Sequence, residues 1–427
     1  MTDTIKPSVK RGHSTKAAVG EALQGNAHGD NPLIEACGAV LQKRDIARRL
    51  LYVPQVPTGR STPVEQIGAY EVPQLWRLHI PSAQGIEVVQ TIDMLLRQGY
   101  VQRKPGEATT TRMLCGLPAL SGECSPILLM AAITGVAGSG KTQALDRALR
   151  LWPQMVVHER LPGFEGPVKQ LLWLKVDVPG SGKLDDLVEA LFRAMDEALG
   201  TDYLSTVASE RGGLKKMAAS TWLAKARLHF LGILVLDEVQ NFFRLQSKQV
   251  RKSERARGSV RADLRVVEDQ SLKFVLNLAN TASIPLMVAG TPDGIQAMGT
   301  RMSTGSRVSV GGLVRMPHAQ TADDAFFCLL LKKLQAYQWT RDQLEVTEQV
   351  RAEIFRWTGG ILRNVIGLWV HAQRRALDES APRMELTHLR WAAEGPQELN
   401  QNAVAALLSQ NPRRMADFED LAPSWVE

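Results

Sequence analysis

Cysteine is scarce, with four in 427 residues (Cys37, Cys115, Cys124 and Cys328). That number excludes a disulfide-stapled scaffold, and none of the four sits at zinc-ribbon spacing. Long apolar runs are missing as well. The longest candidate, Ile127 to Ile133, falls far short of the roughly 18 residues that a membrane span needs. The first twenty residues carry basic side chains but no apolar stretch or cleavage pattern, so they do not read as a secretory signal. The eight histidines form no HExxH pair, no His or Cys cluster has ligand spacing, and no serine-hydrolase elbow occurs. The expectation is a soluble cytoplasmic protein with no membrane partner.

What is present is an ordinary globular mix, 44% hydrophobic and 22% charged, in a chain long enough for two to three domains. Lysine and arginine number 51 against 44 acidic residues, a net charge of +7. Such a surplus speaks about partners more than about fold. It is concentrated in one place. Between Arg244 and Arg265 eight basic residues face Glu254 and Asp263, eight minus two, or +6.

Residues 1–30 are rich in Gly, Ala, Lys and Ser and read as a flexible arm. Residues 31–124 carry helical patterns broken by prolines. The clearest places Val88, Val89, Ile92, Leu95 and Leu96 on one face of a helix expected to stop at Gly99. From residue 125 to 315 apolar strand-like runs alternate with helical patterns, which points to an α/β core with a parallel sheet. The runs are 127–133, one through Leu171, Trp173 and Leu174 to Pro179, 233–236 and 286–289, with Val308 and Val310 marking a possible fifth. A strong helix is expected over 184–199, with Asp185 and Asp186 in its first turn and Gly200 past its end. Residues 316–395 read as all helical, and 396–427 as a polar tail without a strong period.

The segment Gly135-Val136-Ala137-Gly138-Ser139-Gly140-Lys141-Thr142, with Gln143 after it as a further nucleotide-binding candidate, fits the phosphate-loop pattern, between the apolar run 127–133 and a helix through Leu145 and Leu149. Glycines let successive N–H groups turn toward one anion, and the helix start adds its positive dipole end. Lys141 would reach the β and γ phosphates of ATP, and Thr142 would ligate Mg²⁺. The run Ile233–Leu236 delivers Asp237 and Glu238 at a strand end. Asp237 would hold Mg²⁺ through water, and Glu238 would polarise the attacking water.

A polar residue at the tip of the strand lying between the two motif strands can touch the γ-phosphate and report its loss; Thr291, after the run 286–289, is the candidate, though Gly-Thr-Pro is also a common turn. Arg363, expected one turn into a helix starting at Thr358, either covers the phosphates or is a solvated arginine. Arg301 and Arg307 are alternative arginine fingers for a neighbouring subunit. Arg251, Lys252, Arg255 and Arg257 belong either to a solvated loop or to a phosphate-contacting insertion at nucleic acid. Pro179-Gly-Ser-Gly-Lys183, before the 184–199 helix, is a second candidate phosphate contact. Neither shows interleaved aromatics, so stacking on single strands is not suggested.

Phosphate loop, Asp-Glu strand end, polar strand tip and helical lid, in this order, resemble the AAA+ ATPases over about residues 125–395. A narrower resemblance is to the transposon-encoded AAA+ regulators of the TnsC and TniB type. It rests on Met155–His158, Leu172–Pro179, Ala198–Tyr203 and above all Leu228–Asn241, with Asn31–Glu35 and Arg97–Arg103 in the amino-terminal region. The resemblance implies an AAA+ P-loop core with a parallel sheet, a C-terminal helical lid and a small, mostly helical N-terminal region that contacts a partner. It implies ATP and Mg²⁺ as cofactors, and assembly as rings or filaments on duplex DNA. It also implies a link between a target-selection factor and a transposase, with hydrolysis driving disassembly. Lys183 would then contact the DNA backbone, while the insertion 244–265 departs from the compact members. The end of the chain, with Phe418, Leu421 and Trp425, is either a docking segment or a disordered end. Rival expectations are a replication initiator or helicase loader on the same core, and a signalling NTPase without a DNA role.

Overall fold

The computed structural model describes residues 30–57, 69–117, 129–209, 218–245, 264–267, 269–281, 283–299, 310–415 and 418. Its amino-terminal part contains α1 (Pro32–Glu35), α2 (Lys43–Leu50), a 3-10 turn over Val72–Arg77, α3 (Ala83–Val101) and α4 (Ala108–Leu114). Asn31 caps α1 by accepting from the Leu33 N–H, and its amide donates to the Tyr100 carbonyl, which ties the start of the described chain to the end of α3.

The central part runs β1 (Met130–Thr134), α5 (Lys141–Leu149), β2 (Met155–His158), β3 (Val168–Leu171), β4 (Trp173–Asp177), α6 (Leu184–Leu199), α7 (Tyr203–Ser209) and α8 (Ala218–Leu228). It continues through β5 (Ile233–Asp237), a 3-10 turn over Val239–Phe242, β6 (Phe243–Leu245), β7 (Leu264–Val266), α9 (Asp269–Thr281), β8 (Leu286–Gly290), α10 (Pro292–Gly299) and β9 (Leu313–Arg315). Five of these strands form one parallel sheet in the order β4-β5-β8-β1-β9.

Strands covered on both faces read as continuous apolar runs, and β1, β5 and β8 are buried throughout. Alternate residues serve opposite layers. Ala132, Leu234, Leu236, Leu286 and Val288 pack with α6, α8 and α9. Ala131, Ile133, Ile233, Val235, Met287 and Ala289 pack with α1, α2, α3 and α5. The amino-terminal helices therefore share a core with the sheet.

Several boundaries differ from the sequence reading. The first strand is Met130–Thr134, with 127 and 128 outside the described residues. The run through Leu171 and Trp173 splits in two, because Leu171 and Leu172 turn their N–H groups to His229 and Gln154. Val168–Leu171 pairs antiparallel with β2, and only Trp173–Asp177 joins the main sheet. The fifth strand of the sheet is Leu313–Arg315; of the two residues expected to mark it, Val310 lies before that strand and Val308 lies outside the described residues. Helix α3 does not stop at Gly99 but continues to Val101. Helix α6 runs as expected, ending on Gly200 in a left-handed conformation (φ 65°).

The carboxy-terminal part comprises α11 (Ala325–Gln335), α12 (Glu348–Thr358), α13 (Leu362–Asp378), α14 (Leu386–Glu394) and α15 (Glu398–Leu408). Its core takes in Val72, Leu75 and Leu78 from the amino-terminal 3-10 turn. Helix α15 lies in the stretch read as a polar tail. Its Ala406 and Leu407 are buried with Val136 and Ile361, so the helical layer extends past 395.

Candidate functional site

The chain leaves β1 at Thr134 and reaches α5 at Lys141 through a loop whose Gly138 and Gly140 have φ of 82° and 95°. These left-handed conformations are open to glycine and costly for other residues. Crowding adds a second constraint: a Cβ on Gly138 would stand 3.0 Å from both Arg363 Cβ and Ile361 Cγ2. The loop is thus pressed from above by the start of α13, whose Arg363 N–H donates to the Gly138 carbonyl at 3.1 Å. Lys141 is buried, and its ammonium donates to the carbonyls of Gly135 at 2.7 Å and Val136 at 3.1 Å. Ser139 Oγ is buried without a hydrogen-bond partner.

Asp237 and Thr291 come to the same sheet edge from β5 and β8, and β8 lies between the two motif strands as the sequence reading required. Asp237 is 1% exposed, and its Oδ1 accepts from the Glu238 N–H at 3.0 Å. Its Oδ2 accepts no hydrogen bond. Thr291 Oγ1 is likewise buried without a partner. A buried polar atom without a hydrogen bond costs free energy, so Thr291 Oγ1 and Asp237 Oδ2, the latter with the Lys175 ammonium at 3.3 Å, mark where a polar ligand fits.

Lys141, Thr142, Gln143, Glu238, Thr291 and Arg363 all line one cleft of about 480 Å³ with Gly138 and Gly140. A smaller hollow of about 310 Å³ lies against α2 and α3 and a larger one of about 750 Å³ outside α6, and neither contains the phosphate loop. Arg363 sits in the first turn of α13, not one turn in, because Gly359 and Gly360, both at positive φ, break the helix after Thr358. Lys183 is exposed at the N-cap of α6 and does not line the cleft. Its loop is nonetheless fixed to the Asp-Glu strand: Asn241 donates to the Val178 carbonyl at 2.7 Å, and Gly182 packs against the Asn241 carbonyl. Arg251, Lys252, Arg255, Arg257, Arg301 and Arg307 lie outside the described residues.

Four residues of the site had no signal in the sequence. Gln240 donates to the Glu238 carboxylate and accepts from the Thr291 N–H at 3.3 Å, linking the two motif strands. Trp76, from the amino-terminal 3-10 turn, lines the cleft with Leu362 and Ile366. His79 Nδ1 lies 3.2 Å from Gln143 Oε1. Burial pushes the His79 imidazole down to about 4, against the hydrogen bond with Gln143 and with some help from Arg147. Lys175 of β4 stands beside Asp237. Burial would lower its ammonium, but Asp146, Asp237 and Asp177 outweigh that and hold it above the ordinary lysine value.

The donor set fits a nucleotide carrying a divalent cation. Glycine N–H groups and Lys141 suit phosphates, and a hydroxyl at Thr142 with a dry carboxylate at Asp237 suits a hard ion that prefers oxygen ligands. Among the described residues, no group of three or more His, Cys, Asp or Glu is placed to hold a metal alone. A cation at Asp237 would therefore depend on the phosphates for its remaining ligands.

Residues 129–298 match the family model described as AAA domain. The fold is the AAA+ P-loop fold, with its five-stranded parallel sheet, helical carboxy-terminal region and amino-terminal helices. Among solved structures, Cdc6p from Pyrobaculum aerophilum is similar at 15% identity over 81% of this chain and 70% of that one, with a TM-score of 0.39. The Aeropyrum pernix ORC1 protein, solved in complex with DNA, is 14% identical over 74% and 67%, with a TM-score of 0.40. The Aeropyrum pernix ORC2 protein, in ADPNP and ADP complexes, is 12% identical over 83% and 74%, with a TM-score of 0.37. No curated protein matches the chain.

Proposed function

We propose that this protein is a Mg²⁺-dependent ATPase whose nucleotide state governs its assembly on duplex DNA, in the service of transposition. The observation that carries the ATPase reading is the cleft itself. The phosphate loop, Glu238, Thr291 and the lid residue Arg363 converge on one space, with the Thr291 hydroxyl buried there without a partner and Asp237 buried at the strand end just before Glu238. Lys141 gives up the loop carbonyls for phosphate oxygens, and Thr142 and Asp237 hold the cation. Bound Mg²⁺ supplies charge neutralisation for the transferring phosphoryl group. Glu238 accepts the proton of the attacking water. Gln240 sets the direction of that carboxylate and joins it to Thr291, beside the γ-phosphate position. Arg363 and Trp76 close the cleft from the lid and the amino-terminal turn, and exclude water.

Three features support the DNA reading. The +6 segment 244–265 is a polyanion-binding composition next to the ATPase core. Lys183 is exposed on a loop tied to the Asp-Glu turn, so a backbone contact there is linked to the hydrolytic site. The TnsC- and TniB-like phrases supply the place in transposition, with a target-selection factor and a transposase as partners. Arg301 or Arg307 of a neighbouring copy would complete the site.

The test compares wild-type protein with Glu238→Gln for ATP turnover with and without duplex DNA, alongside negative-stain images. DNA should stimulate wild-type turnover and carry rings or filaments. Glu238→Gln should bind ATP, lose at least about 100-fold in turnover and remain on DNA. Wild-type turnover in that variant removes Glu238 from the mechanism. Turnover and assembly indifferent to DNA and to salt would leave a signalling NTPase. DNA binding without transposase binding would leave a replication initiator or helicase loader.

A further inference from the structure

Alternate residues of a strand share a face, so Trp173, Lys175 and Asp177 of β4 look toward the same layer. Asp177 pairs in register with Asp237 of β5, and Asp146 of α5 covers that side. One ammonium meets three carboxylates as a result. Lys175 Nζ lies 2.8 Å from Asp146 Oδ1, 3.3 Å from Asp237 Oδ2 and 3.6 Å from Asp177 Oδ1. The three partners differ in kind. The Asp177 and Asp146 side chains are 67% and 43% exposed, so water serves them; Asp237 is at 1%.

Asp237 Oδ2 accepts no hydrogen bond, so the Lys175 charge is what offsets the burial of that oxygen. On the proposed function it is also the carboxylate that holds the cation of a bound nucleotide through a water. A divalent cation there and the Lys175 ammonium at 3.3 Å repel each other across one carboxylate group. Lys175 has somewhere to go, because Asp146 is its nearest partner and lines the cleft at the far side of the ammonium.

We propose that Lys175 is the resident counter-ion of Asp237: a positioning residue that holds this carboxylate in the nucleotide-free protein, keeps free divalent cations off it, and yields it when nucleotide brings a cation with its phosphates. The proposal rests on the reading of the cleft as a Mg²⁺-nucleotide site. It adds a gate on the order of binding, since a metal alone must displace Lys175 with no phosphate ligands to help.

The test uses full-length wild type, Lys175→Met and Asp146→Asn. Free Mn²⁺ is titrated without nucleotide and followed by its paramagnetic resonance signal. A fluorescent ATP analogue is titrated with Mg²⁺ and again with EDTA. Lys175→Met should take up Mn²⁺ about tenfold more tightly than wild type. Mg²⁺ should also improve its analogue affinity by a correspondingly larger factor. Asp146→Asn leaves Lys175 leaning harder on Asp237, so the ratio of analogue affinity in Mg²⁺ to that in EDTA should shrink about threefold, whatever the loss of a cleft charge does to both affinities.

Equal Mn²⁺ affinity in wild type and Lys175→Met overturns the proposal. So does a Lys175→Met protein that melts earlier with unchanged metal and Mg²⁺ dependence, which is the result of a merely structural lysine. If Lys175→Met does not fold, Asp146→Asn decides by the sign of its change. If wild type binds no analogue under either condition, the nucleotide reading falls, and the Mn²⁺ titration still judges Lys175.

Discussion

Glu238 holds a left-handed backbone, φ 58° and ψ 38°, where a residue with a Cβ is uncommon. The conformation follows the last residue of β5 and turns the chain away from the sheet, putting two adjacent carboxylates on different errands. Asp237 stays in the protein and Glu238 reaches the cleft. Its cost, on the order of 1–3 kcal/mol, is borne by the buried strand before it and the packed turn after it. His79 belongs to the same scale. Its Nε2 is buried without a partner, so a proton added there finds no acceptor.

The imidazole is pushed down to about 4, so the unfolded chain binds a proton that the folded one refuses between pH 6.5 and 4. The contribution of His79 to stability is present above pH 6.5 and is lost as pH falls through that window. The loss approaches about 1.4 kcal/mol per pH unit, or about 3 kcal/mol across it. Urea unfolding from pH 7.5 to 4 should show the wild type losing its lead over His79→Gln by that amount; parallel curves would contradict the assignment. No local pattern could have identified His79. The loop 135–142 is legible because glycines, lysine and threonine lie side by side, whereas the His79 role comes from Gln143, 64 positions away. Gln240 was invisible for the same reason, as it matters through Thr291.

At the scale of elements, α3 shows why boundaries fail while identities hold. The face Val88, Val89, Ile92, Leu95 and Leu96 is buried as the spacing required. Gly99 looked like a stop, yet it serves as a notch. A Cβ there would fall 2.3 Å from Pro285 Cγ and 2.8 Å from its Cδ, so only glycine lets α3 lie against the approach to β8. Gly99→Ala should therefore destabilise the protein even though alanine favours helix, by about 1–3 kcal/mol, measured by chemical denaturation. A gain in stability would mean that α3 stands off the sheet. The division of 168–177 into two sheets was hidden for a different reason. Both pieces are apolar runs, and the hydrogen bonds that part them come from His229 and Gln154. The helix 398–408 was missed because three buried side chains, Val404, Ala406 and Leu407, are all that its packing against α12 and the phosphate loop requires.

For the molecule as a whole, the place of the Thr291 strand between the two motif strands was legible, and β8 does lie between β5 and β1; the places of β4 and β9 were not. What joins the parts was not implied. Leu33, Ile46, Leu50, Val88, Ile92 and Leu96 fill one side of the sheet together with Ile133, Val235 and Met287. Val72, Leu75 and Leu78, from between them, fill the lid beside Leu330 and Trp369. The Tyr337 hydroxyl donates to the Pro54 carbonyl at 2.6 Å, and Trp339 Nε1 donates to Glu71 at 2.9 Å. A fragment covering 129–298 alone, the span of the family match, should thus expose a whole sheet face. Its thermal melt by circular dichroism should lack the cooperative transition of the full chain. A sharp melt in that fragment would show that the amino-terminal helices are accessories.

The way Val72–Leu78 is built into the lid has a consequence for heredity. A stretch of DNA encoding only the phosphate-loop unit would carry neither the floor of its sheet nor the roof of its cleft. Recombination could exchange such a unit between genes only with both flanks attached. The lineage of this chain is therefore expected to have travelled as one piece, its amino-terminal turn and its lid diverging in step because each is the other's core.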